Sequence, residues 1–186
     1  MRNLIATIRA LLLLPVLAAA IPVSAADFVD QQALDNLFIE LRQAPDANAA
    51  EAISQTIWAF WVNPTDRKLA DEMAVVLRAE SSGDFATGIG VLDKMISEYP
   101  SYAEGWNRRA TLRFMVGNYK GSLEDIDKVL ALEPRHFGAL SGKIMIELRL
   151  GDRPAALKDM VAALAIHPYL SMKELFPELQ QKITNI

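Results

Sequence analysis

Residues 83–100, 117–134 and 151–168 read GDFATGIGVLDKMISEYP, GNYKGSLEDIDKVLALEP and GDRPAALKDMVAALAIHP. Each stretch opens on a glycine and closes on a proline. Gly83, Gly117 and Gly151 stand 34 residues apart, and so do Pro100, Pro134 and Pro168. Gly and Pro each make up roughly 5% of ordinary chains, so four further matches at one preset spacing arise by chance about once in 100,000 trials. The residue after each glycine is Asp84, Asn118 or Asp152, all good helix N-caps. A small residue follows at Gly88, Ser122 and Ala156. Apolar positions then recur one, four and eight residues on: Ile89, Leu92 and Ile96; Leu123, Ile126 and Leu130; Leu157, Met160 and Leu164. That spacing is one face of an α-helix.

The punctuation has a physical cause. Glycine takes the left-handed conformation that ends a helix in a tight turn. The capping Asp or Asn starts the next helix by accepting a backbone N–H. Proline stops that helix, since it has neither an N–H nor φ freedom. The unit is therefore helix, glycine turn, helix, proline turn. One such pair cannot bury its apolar stripe alone, whereas stacked pairs can.

Trp106, Gly117, Tyr119, Ile126 and Pro134 lie at the spacing of the tetratricopeptide repeat. Residues 69–102, 103–136 and 137–170 resemble three copies of it. The middle copy is the best match, and its Asn107-Arg108-Arg109-Ala110 resembles a common variant of the motif. The outer copies depart from the pattern at Glu72 and Leu140, at Arg153, and at Val76 and Ile144. The resemblance implies an all-α solenoid of helical hairpins.

Around this core, residues 1–26 read as an export leader. Arg2 and Arg9 give a positive start, Ala10 to Ile21 an apolar middle, and Val23-Ser24-Ala25-Ala26 small residues for cleavage. The competing reading is an uncleaved anchor; the short run with Pro15 and Pro22 argues against it. There is no cysteine, so disulfides, thiolate metal sites and lipid attachment at a cysteine are excluded. Without Arg2 and Arg9, 17 basic residues face 23 acidic ones, a net charge of −6, and no basic run appears. Nucleic acid is not an expected partner, since phosphate contact needs clustered Lys and Arg.

Residues 27–63 form a separate helix pair. Leu34, Leu37, Phe38 and Leu41 make one amphipathic stripe, and Ala50, Ile53, Ile57 and Phe60 or Trp61 continue an apolar face after Pro45-Asp46. The expected role of this pair is to cover the open end of the first repeat. Trp58, Phe60 and Trp61 admit two readings, stacking on a ligand such as a sugar or packing in the core. The three-residue spacing of Trp58 and Trp61 favours the core. Residues 64–82 are expected to be the first helix of the repeats. Ser101 with Glu104, and Ser171 with Glu174, read as capping boxes. Pro177 predicts a kink or two short turns within the terminal capping segment, 171–186.

With Ala44-Pro45-Asp46, Ile57-Trp58 with Trp61, and the run from Tyr102 to Ala110, the chain resembles small exported tetratricopeptide-repeat proteins of Gram-negative bacteria, especially α-proteobacteria. The resemblance implies protein binding in the envelope and a groove lined by the first helix of each repeat. Carried over by position, that groove comprises Met73 and Leu77 with Glu80; Asn107, Arg108, Thr111 and Phe114; and Ser141, Gly142, Met145 and Arg149 with Leu148. Some members grip a C-terminal carboxylate with Lys and Asn on successive first helices. Met73 and Leu77, and Gly138 and Gly142, occupy those positions here, so that clamp is absent. The Gly138–Gly142 pair costs about 1 kcal/mol per glycine relative to Ala. It reads either as tight packing against repeat two or as room for a bound peptide backbone.

Chemistry is hard to find. His136 and His167 lie in turns with no companion ligands at metal-binding spacing, and read as turn stabilisers. Glu124, Asp125 and Asp127 read as a solvated helix face. The resemblance implies one exception, an Arg109–Asp125 pair within the second repeat, stabilising only where further hydrogen bonds satisfy it. No nucleophile–base set or cofactor motif is evident. The expected function is a non-enzymatic periplasmic scaffold for an envelope protein or peptide. The alternatives are an envelope enzyme or an accessory subunit of a cell-wall enzyme, and a self-associating structural subunit.

Overall fold

A computed structural model describes residues 29–181. The leader assigned to residues 1–26 lies outside the described residues, as does the end of the terminal segment. Among the described residues the fold is helical throughout: α1 (Gln31–Arg42), α2 (Ala47–Val62), α3 (Arg67–Ser82), α4 (Phe85–Glu98), α5 (Ala103–Met115), α6 (Tyr119–Leu132), α7 (Phe137–Arg149), α8 (Arg153–Ile166), a 3-10 turn (Ser171–Leu175) and α9 (Pro177–Gln181). None of these helices is long and apolar enough to cross a membrane.

The hairpins α3–α4, α5–α6 and α7–α8 turn on Gly83, Gly117 and Gly151, at φ of 76°, 79° and 81°. Asp84, Asn118 and Asp152 each accept the backbone N–H three residues on, capping α4, α6 and α8. Small residues allow close approach both between and within the hairpins. A Cβ on Gly88 would stand 2.6 Å from Leu112 Cδ1, and buried Ser122 donates to the Ala110 carbonyl at 2.7 Å. Helix α3 begins at Arg67, ahead of residue 69, because Asp66 caps it by accepting from Leu69 N–H.

Two expected capping boxes do not form. The N-cap of α5 is Tyr102, with no side-chain cap bond, because Glu104 turns inward to other partners. Ser171 and Glu174 fall in the 3-10 turn, whose N-cap is Leu170, again without a side-chain cap. Pro177 then starts α9, so the segment is two short turns.

The N-terminal hairpin corrects a larger expectation. Its main packing is against the third repeat, not the open end of the first. Leu34, Phe38, Leu41, Ile57 and Trp61 share one core with Phe137, and Ile166 and Tyr169 pack on its edge. Polar bonds tie the hairpin to each of the three repeats. Arg135 reaches Asp35 at 2.7 Å, Ser54 meets His167 at 2.9 Å, and the Tyr102 hydroxyl donates to the Trp61 carbonyl at 2.6 Å. The physical reason is surface supply. The α1–α2 face is rich in aromatics, and the α7–α8 edge offers Phe137 and the side-chain-free Gly138 to receive them.

Candidate protein-binding groove

Helices α5 and α7 lie side by side with α6 behind them. Between them opens a cavity of about 240 Å³. Six of the ten residues assigned to the groove from sequence line it: Asn107, Thr111, Phe114, Ser141, Gly142 and Met145. Gly138, Met115, Met172 and Ile126 are among the other residues of the wall. Met115 continues the α5 face one turn beyond Thr111, so helical spacing alone would have found it. Met172 arrives from the 3-10 turn; Pro177 signals short turns there, but nothing in the sequence says that they reach the cavity.

The other four lie elsewhere. Met73 is fully buried in a core with Leu92, Met95 and Leu112, so it packs between α4 and α5 and not in the groove. Leu77 packs on the same core. Arg108 is held by Glu104 and Glu80. Arg149 is exposed one turn past Met145, with its guanidinium 5.5 Å from the centre of the Tyr119 ring.

One end of the groove is closed by the N-terminal hairpin. A Cβ on Gly138 would meet Trp58 Cη2 at 2.4 Å, whereas one on Gly142 would meet nothing nearer than Ile126 Cδ1 at 3.5 Å. The two glycines therefore differ. Gly138 is needed for close packing, but against the N-terminal hairpin and not against repeat two. Gly142 faces open space in the cavity. Gly138→Ala is expected to destabilise by about 1–3 kcal/mol, the usual cost of overpacking. Gly142→Ala is expected to be neutral or to stabilise by up to about 1 kcal/mol through helix propensity. Urea unfolding should show a loss in Gly138→Ala and none in Gly142→Ala; equal losses would contradict this assignment.

Under the closed end lies a buried polar network. The side chain of Glu104 is fully buried. Its Oε1 accepts from Arg108 Nε at 2.6 Å, and its Oε2 from Asn107 Nδ2 at 2.9 Å. Ala139 N–H donates to His136 Nδ1, which leaves Nε2 as the nitrogen that donates to Glu104 Oε2, 3.0 Å away. Burial pushes the Glu104 carboxyl up, but the hydrogen bond from His136 and the Arg108 charge outweigh it and hold the group below its ordinary range. Trp61 stacks on the His136 ring at 3.9 Å and 9°. Trp58 stands edge-on to His136 at 5.6 Å. Both tryptophans are thus packing residues, and His136 is the N-cap of α7.

The Arg109–Asp125 pair forms as the resemblance implies. Arg109 binds both carboxylate oxygens, at 2.9 and 2.7 Å, and Arg113 adds a contact at 2.9 Å. Asp125 is therefore buried, unlike its exposed neighbours Glu124 and Asp127. A carboxylate pair, Glu147 and Asp159, shares Lys143 on the α8 side of α7. Burial and the nearby Asp159 push Glu147 up to about 7. A carboxyl raised in the folded state stabilises it at low pH and loses that contribution as pH rises from the ordinary 4.5 through about 7. Glu147→Gln, whose amide can donate to Asp159, removes this loss. The variant should gain stability relative to the parent between pH 5 and pH 8, measured by urea unfolding; a gap independent of pH would contradict the assignment.

No family model matches the chain. A TPR repeat-containing protein of Rhizobium etli is 38% identical over 138 residues, covering 74% of this chain and 68% of that relative. The chain belongs to the tetratricopeptide-repeat family. The tetratricopeptide repeat protein 36 homolog of Nematostella vectensis is 32% identical over 117 residues, 62% of this chain and 64% of that relative. The TPR2B domain of yeast Sti1, solved in a complex with pHsp70, superposes with a TM-score of 0.54 at 17% identity, covering 62% of this chain and 93% of the domain. That likeness speaks to the fold alone. As a tetratricopeptide-repeat protein, the chain has the architecture of a protein-interaction scaffold.

Proposed function

We propose that this protein is a non-enzymatic scaffold of the bacterial envelope, exported by its leader, and that the α5–α7 groove holds a segment of an envelope protein. The cavity carries the reading. At about 240 Å³ it falls below the roughly 300 Å³ at which small-molecule pockets begin, so it suits one or two protein side chains better than a whole metabolite. Its methionines are unbranched and adapt to varied apolar shapes. The yeast domain of the same fold is in complex with pHsp70, which supports seeking a protein partner.

A photo-crosslinking residue at Thr111, followed by mass spectrometry of the periplasmic fraction, tests the proposal. The expected result is a defined heterologous adduct that disappears in Gly142→Leu, which fills the cavity, and in Met115→Glu, on the exposed rim. Both variants should keep wild-type helicity. Adducts that survive both substitutions would refute the groove. An adduct between two copies of this chain would favour the self-associating subunit, and recovery in the cytosol alone would refute export.

A further inference from the structure

Two arginines assigned to the groove from sequence stand outside the cavity wall and differ in their partners. Arg108 is engaged by Glu104 and Glu80 at 2.6 and 3.1 Å. Arg149 makes no ion pair among the described residues; its guanidinium rests on Tyr119, whose ring lies 5.5 Å from that of Phe114 in the cavity wall. Arg149 thus brings a positive charge next to an uncharged, apolar cavity in a chain whose net charge is −4. Arg149 follows Met145 by one turn, which places it about 6 Å further along α7. Exposed apolar side chains stand at the same ends of α5 and α7: Met115, Val116 and Leu150 are 57%, 54% and 61% exposed. The opposite end is shut by Trp58 against Gly138.

We infer that the groove recognises an extended segment carrying a large neutral apolar side chain and, two residues away, an acidic side chain. The apolar group enters the cavity over Gly142, and the carboxylate meets Arg149. The inference rests on the groove reading above and specifies its ligand. In an extended chain, residues two apart point the same way and stand about 6.6 Å apart, which matches the rise from Met145 to Arg149. The cavity wall itself bears no ionisable group, so a charged side chain would lose its hydration there without compensation. The carboxylate is that of a side chain, because among the described residues the Arg149 end is flanked by exposed Met115, Val116 and Leu150 and lets the partner chain run on.

Fluorescence polarisation with labelled synthetic octapeptides tests this. All are acetylated and amidated Gly/Ser sequences, containing Leu-Ser-Glu, Leu-Ser-Lys, Leu-Ser-Ser or Ser-Ser-Glu. A fifth peptide ends in Leu-Ser-Ser with a free carboxylate. The Leu-Ser-Glu peptide should bind tightest, with the Leu-Ser-Lys peptide weaker by about fivefold. Added salt should narrow that gap, because the pair is exposed. In Arg149→Glu the order of these two peptides should reverse, and in Gly142→Leu both should be lost. Equal binding of Leu-Ser-Glu and Leu-Ser-Ser, still abolished by Gly142→Leu, would overturn the charge assignment and leave the groove standing. A preference for the free-ended peptide would overturn the side-chain source. No binding of any leucine peptide, or binding indifferent to Gly142→Leu, would overturn this inference together with the groove it rests on.

Discussion

Glu104→Ala is expected to destabilise the protein by about 3–5 kcal/mol, the usual result of removing one partner of a buried charge pair. The carboxylate is fully buried and receives three donors, from Asn107, Arg108 and His136. Arg108 would keep only Glu80, while the His136 Nε2–H and the Asn107 amide would lose their acceptor in a dry site. Glu104→Gln preserves the shape but turns an amide N–H₂ toward at least one donor, so it should still cost about 1–3 kcal/mol. Urea unfolding followed by circular dichroism gives both values. The parent should also lose stability below pH 4.5, because a carboxyl lowered in the folded state stabilises above its ordinary pKa and loses that contribution as pH falls through the folded value. The Glu104→Ala protein lacks that part of the acid loss. A cost below about 1 kcal/mol for Glu104→Ala would mean the network is solvated in solution.

Trp61→Ala is the second large effect, at about 3–5 kcal/mol for a buried aromatic. Trp61 is 4% exposed, stacks on His136, and touches Phe38 and Phe137 at ring-centre distances of 6.1 and 5.2 Å. It joins the N-terminal hairpin to the start of α7. The variant should therefore lose amide protection in α7 and α8 as well as in α2, as read by hydrogen exchange. Loss confined to α1 and α2 would show that the hairpin does not support the third repeat. Trp61→Phe, which keeps an aromatic in place, should fall between Trp61→Ala and the parent.

The sequence by itself determined the helices and their stacking. A glycine at φ near +80°, a capping Asp or Asn next to it, and a proline 17 residues on act within a few residues of themselves. Their 34-residue period therefore reports the backbone directly. The Arg109–Asp125 pair was legible through the resemblance to a repeat variant in which those positions pair, because a repeat of fixed length keeps the same two positions facing each other.

What lay beyond one hairpin was decided by tertiary structure. Helical spacing could not distinguish Gly138 from Gly142, because they share a face and differ only in that Trp58, 80 positions earlier in the chain, packs on one of them. Nor could it show that Met73 turns into a core while Met145 faces the cavity, or that Glu104 leaves its capping role for His136, because each outcome depends on helix rotation and on which distant surface arrives. A local pattern encodes the conformation of its own segment; the docking of α1–α2 on the third repeat depends on the fit of surfaces that meet only after both have folded, and that docking shaped the groove.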